Sequence, residues 1–147
     1  MNQQELTHSL RKEAILNGHS VKTIASGTSM FPFLRKGDLL TIEPVSMDEI
    51  KRGDVVVFEC EEKWIAHRVI KIHSNHGLTE FTTRGDARVS NDPPVRKENY
   101  IGIVSYLERN NKCISLTSFR KKISTQFLLL GGKPISYFLN HLARKKQ

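Results

Sequence analysis

Cysteine is scarce: Cys60 and Cys113 are the only two in 147 residues, and they lack the close-spaced pairing of a zinc site. They read as free thiols in a reducing compartment, which excludes a disulfide-built scaffold. Long apolar runs are missing too. No stretch approaches the roughly 18 to 20 consecutive apolar residues that a membrane-spanning helix needs, and residues 127 to 130 form as long a run as any. The opening Met1-Asn2-Gln3-Gln4-Glu5 has neither an early basic region nor an apolar stretch behind it, so no secretory signal is read. From these absences a cytoplasmic location is expected. Acidic residues are absent from one end: residues 117 to 147 hold seven of the 23 Lys and Arg and no Asp or Glu. The net charge of +8 therefore sits mostly in a tail, and the first 116 residues are close to neutral. That asymmetry speaks against a nucleic-acid-binding domain, and no nucleic-acid partner is expected. There is no internal repeat. The length fits one domain able to bury a core without staples.

What is present reads mainly as β. Leu6, Leu10 and Ala14 recur at four-residue spacing, with Ile15 and Leu16 beside them, and predict a helix over residues 3 to 17 ended by Asn17-Gly18. Strands are predicted over residues 21 to 25 and 39 to 43. The four-residue run Val55-Val56-Val57-Phe58, apolar on both faces, suits a buried central strand. Over residues 64 to 72 the alternation puts Trp64, Ala66, Arg68, Ile70 and Ile72 on one face and Ile65, His67, Val69 and Lys71 on the other. A turn at 73 to 77, a short strand at 81 to 83 and a closing hairpin around Arg109-Asn110-Asn111 complete the domain. Gly-Asp turns fall at Asp38, Asp54 and Asp86.

Chemistry is concentrated in Ser26-Gly27-Thr28-Ser29-Met30-Phe31-Pro32. Gly27 opens backbone angles closed to other residues and lets a chain approach, while Pro32 fixes φ, so Ser29 is presented rather than buried. A serine needs a base to take its proton. His67, mounted on a strand, can be that base, because the ordinary histidine pKa of about 6.5 leaves much of it neutral at pH 7. Asp86 and Asp92 are the candidates for orienting it. The Ser29 N–H, helped by a neighbour such as Ser26, would stabilise an oxyanion. His8, His19, His73, His76 and His141 are read as structural, and Trp64 as core.

Four blocks in order resemble the type I signal peptidase superfamily, which also contains the self-cleaving SOS-response repressors. They are residues 26 to 32, Arg52-Gly53-Asp54-Val55-Val56-Val57-Phe58, Ala66-His67-Arg68-Val69-Ile70, and Thr83-Arg84-Gly85-Asp86 with Asp92 six residues on. The His-Arg-Val context is similar to the endoplasmic-reticulum and archaeal branch, whereas leader peptidases and the repressors place a lysine there. The resemblance implies a signal-peptidase-like β domain without cofactor or metal. In it Ser29 is the nucleophile, His67 the base, Asp92 the triad aspartate and Asp86 a second site carboxylate. Ser26, Gly27, Thr28, Met30 and Pro32 would form the oxyanion and substrate surface. It also implies a serine endopeptidase for a leader or precursor peptide bound as an added strand.

Two other readings stand beside this one: a non-catalytic peptide-binding module of the same fold and, behind it, a self-cleaving repressor. The expected organisation is an N-terminal helix over 1 to 18, a catalytic domain over 19 to 116 and a basic tail over 117 to 147. In the tail Ile123, Phe127 and Leu130 form one amphipathic stripe, and Ile135, Phe138, Leu139 and Leu142 another. The tail either packs on the domain or in a homo-oligomer contact, or lies peripherally at the inner membrane face.

Overall fold

The computed structural model describes residues 2 to 116. The two amphipathic stripes expected in the tail lie outside the described residues. Helix α1 (Gln3–Leu16) precedes seven strands: β1 (Val21–Ile24), β2 (Leu39–Glu43), β3 (Val55–Cys60), β4 (Lys63–Asn75), β5 (Leu78–Arg84), β6 (Tyr100–Arg109) and β7 (Lys112–Ser115). All pairings between strands are antiparallel, in the order β1-β2-β6-β3-β4-β5 with β7 also on β6. The mainly β architecture with an N-terminal helix is as the sequence predicts.

β3 lies between β6 and β4, and its four-residue apolar run explains why the molecule has two cores. Val55 and Val57 join Leu40, Ile42, Val104 and Leu107 on one side of the sheet. Val56 and Phe58 join Val69, Phe81 and Val95 on the other. A strand buried on both faces has no position for a polar side chain, hence the unbroken run.

Three expectations are corrected. The turn at 73 to 77 shrinks to His76-Gly77, both at positive φ, and β4 runs on to Asn75. The two-face reading of β4 holds only to Val69: pairing with β5 slips between Val69 and Lys71, so Ile72 packs with Val69 and Phe81. One extra residue in a strand sends every later side chain to the opposite face. Finally, α1 does not bury its leucine stripe. Asn2 and Glu5 cap it reciprocally, and Ala14 and Ile15 dock on the first core, but Leu6 and Leu10 are 44% and 56% exposed. The helix is anchored by its last turn and by Lys12 and His8, which both bind Glu59 on β3. Its first turns line a groove shared with β1 and β4.

The first two Gly-Asp turns use one device. Gly37 and Gly53 take positive φ, and the following carboxylates accept the N–H of Arg35 and Lys51, at 2.7 and 2.8 Å. Arg109 adds a fork onto Asp38. Burial works to raise the Asp38 carboxyl, but the Arg109 fork and the Arg35 amide outweigh it and hold the group below its ordinary value of 3.8. A depressed carboxylate contributes stability above its unfolded pKa and loses it as pH falls through the folded one. We therefore expect Arg109→Met to be less stable than the parent at pH 7, and the gap in melting temperature to close as pH drops below about 4. A gap independent of pH would show that this ion pair contributes nothing to acid sensitivity.

Candidate active site

Ser29 sits in a loop held from below. Met30 and Leu34 are buried in the first core, and Leu34 N–H donates to the Met30 carbonyl at 3.0 Å. The Ser29 carbonyl accepts the N–H of Ala87 at 2.8 Å, and the Met30 sulfur accepts that of Asp86 at 3.4 Å. This loop is thereby tied to the third Gly-Asp turn. Gly85 is a glycine because of that closeness: a Cβ there would stand 2.5 Å from the Ser29 carbonyl oxygen and 3.0 Å from His67 Nε2.

His67 projects from β4, is 4% exposed, and lies edge-on to Phe58. Its Nε2 is 2.8 Å from Ser29 Oγ and its Nδ1 is 2.6 Å from Asp92 Oδ2. A carboxylate can only accept, so in the neutral ring Nδ1 carries the proton and Nε2 accepts from the serine hydroxyl. That is the arrangement in which an imidazole can take a proton from serine. Asp92 in turn accepts the Thr83 hydroxyl at 2.8 Å, and its N–H donates to the Thr83 carbonyl at 2.9 Å.

Asp86 is elsewhere. Its carboxylate is forked onto Arg68, with Nε–Oδ1 at 2.7 Å and Nη2–Oδ2 at 2.6 Å, and both side chains are buried. Arg68 also donates to the Gly53 carbonyl at 2.8 Å and lies 4.6 Å over the Phe33 ring. Asp86 and Arg68 form a plinth under the site; the carboxylate bonded to His67 is that of Asp92.

The other predicted site residues divide. Ser26 and Gly27 are exposed and line a groove of about 1050 Å³ that ends at Ser29. Gly27 does not have positive φ, so only the open space at its Cα remains of the reason given for it. Met30 is buried and forms part of the groove floor with Leu34, Ile42 and Val57. Thr28 borders a second recess of about 530 Å³ with Ala87, Arg88 and Ser90 on the opposite side of Ser29. Pro32 lies half-buried behind the loop, and its carbonyl faces Arg35. Trp64 is not purely core, since it lines the groove while its ring meets that of His8 edge-on. Arg68, Thr83 and Gly85 stand within the blocks quoted above, but the sequence assigns them no role. For Arg68, a charged residue between the apolar positions of β4 was the available signal, because buried polar groups need partners; Thr83, among the other polar residues of β5, carried none.

The groove runs between two strand edges and is also lined by α1, through Gln4, Glu5, His8, Ser9 and Lys12. Residues 21 to 24 pair with β2 on one side, residues 63 to 67 pair with β3 on one side, and β4 meets β5 only from Arg68 onward. Thr23, Ile24 and Ala25 from one edge and Trp64, Ile65 and Ala66 from the other face the same space.

No family model matches the chain. It is 38% identical over 81 residues to the signal peptidase complex catalytic subunit SEC11C of Homo sapiens, and equally to that of Mus musculus, covering 53% of this chain and 42% of theirs. It is 31% identical over 117 residues to the signal peptidase complex catalytic subunit SEC11 of Fusarium vanettenii, covering 78% of this chain and 65% of the relative. The chain thus matches less than half the length of the mammalian relatives. No helix among the described residues is long and apolar enough to cross a membrane. The cytoplasmic location nevertheless falls: it rested on missing segments alone, and the relatives are subunits of a signal peptidase complex. Relatives of one kind, the mainly β fold and the four ordered blocks agree: the chain is similar to the catalytic subunits of the type I signal peptidase superfamily.

Proposed function

We propose that this protein is a serine endopeptidase that cleaves a precursor peptide, with residues 19 to 116 as its catalytic domain, α1 flanking it, and no cofactor. Ser29 is the nucleophile, His67 the general base and Asp92 the carboxylate that orients the base. The observation that carries this reading is the hydrogen-bonded chain from Ser29 through His67 to Asp92, opening at the end of a groove with strand edges on both sides. A peptide laid in the groove can hydrogen-bond to either edge as an added strand, which brings a carbonyl carbon to Ser29 Oγ.

In the first half-reaction Ser29 Oγ attacks that carbonyl and His67 Nε2 takes the hydroxyl proton. Asp92 stabilises the resulting imidazolium through Nδ1. The oxyanion would be met by the Ser29 N–H, with the Ser26 hydroxyl as its nearby helper. His67 then gives its proton to the leaving amine, and a water repeats the sequence to release the acyl group. The apolar floor of Met30, Leu34, Ile42 and Val57 would hold the side chains next to the cut.

The test is incubation with a fluorescence-quenched peptide carrying a leucine run followed by Ala-Gln-Ala, with product masses read by mass spectrometry. Cleavage at one bond is expected. Saturable binding without cleavage would instead favour the peptide-binding module.

A further inference from the structure

Asp92 has no regular element of its own, since it stands in an irregular loop just before Pro93-Pro94. What holds it is β5. The loop returns along that strand, where Phe81 and Val95 exchange both backbone hydrogen bonds at 2.9 Å, and Thr83 receives the Asp92 N–H on its carbonyl. The Thr83 side chain completes the clamp: fully buried at 0% exposure, it donates its hydroxyl to Oδ2, the same oxygen that accepts from His67 Nδ1.

We propose that Thr83 is a positioning residue for the catalytic base, fixing the Asp92 carboxylate so that its Oδ2 lone pair meets His67 Nδ1. The proposal rests on the Ser29–His67–Asp92 reading. A carboxylate turns easily about its last torsion, which is broad and two-fold. A loop carboxylate with its backbone held could still swing away from the imidazole. The Thr83 hydroxyl restricts that freedom by holding the same oxygen that faces His67, and as a hydrogen bond to a charged group it is among the stronger kind. Backbone pairing alone would have been served by any β-branched residue; only the hydroxyl makes threonine specific here.

The experiment compares Thr83→Val, which keeps the shape and removes the hydroxyl, with Thr83→Ser, which keeps the hydroxyl, each alone and in an Asp92→Asn background. On the quenched leucine-run Ala-Gln-Ala peptide, Thr83→Val is expected to lower kcat roughly 10- to 100-fold with KM nearly unchanged, Thr83→Ser to restore most of the rate, and Thr83→Val to add nothing once Asp92 is Asn. Nitrogen-15 shifts of the His67 ring give a readout that needs no cleavage: one tautomer, with the proton on Nδ1, in the parent and in Thr83→Ser, and a mixture in Thr83→Val. Thr83→Ala serves the same comparison if the valine variant does not fold. A Thr83→Val rate and ring spectrum equal to the parent's would overturn the proposal, as would a rate loss fully additive with Asp92→Asn, which would mark a purely structural residue. If Asp92→Asn itself keeps the parent rate, the triad reading fails; the ring spectrum of Thr83→Val still decides whether Thr83 orders the Asp92–His67 pair.

Discussion

Ser29→Ala and His67→Ala are each expected to reduce cleavage of the peptide by at least about 1,000-fold, with the double variant no slower than either alone. Without Oγ there is nothing to acylate; without Nε2 the 2.8 Å hydrogen bond from Ser29 is gone and the hydroxyl keeps its proton. Because the two act as one unit, removing the second costs nothing further. Neither change should unfold the chain: Ser29 is half-buried, and removing the imidazole takes away a ring whose neighbours are Phe58 and the Asp92 loop. Circular dichroism and melting curves recorded beside the rates separate chemistry from folding. A His67→Ala variant retaining most of the parent rate would sink the assignment of the base.

Asp86→Asn and Asp92→Asn are expected to fail in opposite ways. The Asp86 carboxylate is forked onto an Arg68 that is 1% exposed, so the amide leaves a buried guanidinium without its counter-charge. Breaking a buried pair from one side costs about 3 to 5 kcal/mol, which in a domain of this size lowers the melting temperature by more than about 10 °C. Asp92 is only part-buried, and Asn can still accept from Thr83, so its melting temperature changes little. Its rate falls roughly 100- to 10,000-fold, because an amide no longer selects the tautomer with the proton on Nδ1 or stabilises the imidazolium. Equal melting losses in the two variants would erase the distinction between plinth and orienting group.

The sequence by itself determined the features that are local. The four-residue run at Val55 records a strand covered on both faces, and residues 3 to 17 record a helix, because burial of one strand or one turn leaves its own periodicity. Gly37-Asp38 and Gly53-Asp54 were readable as turns because glycine φ and an Asx hydrogen bond act within three residues. Ser29, His67 and two aspartates stood out as chemistry through their ordered blocks. Everything that depends on which strand lies beside which was left to the tertiary structure. The bulge near Ile70 follows from how β4 pairs with β5, so no alternation count within β4 could show it. The leucines of α1 carry a helical period whether or not a sheet lies under them, and here Leu6 and Leu10 stay exposed. Two aspartates six residues apart are indistinguishable in a list of residue types. One was taken by Arg68 and the other by His67, partners 18 and 25 residues away, because β4 sends successive side chains to opposite faces and the β5 loop meets both. The same closeness in space makes Gly85 a glycine, set by Ser29 and His67 far back along the chain, while Thr83 is set by the loop that returns Asp92 to it nine residues on.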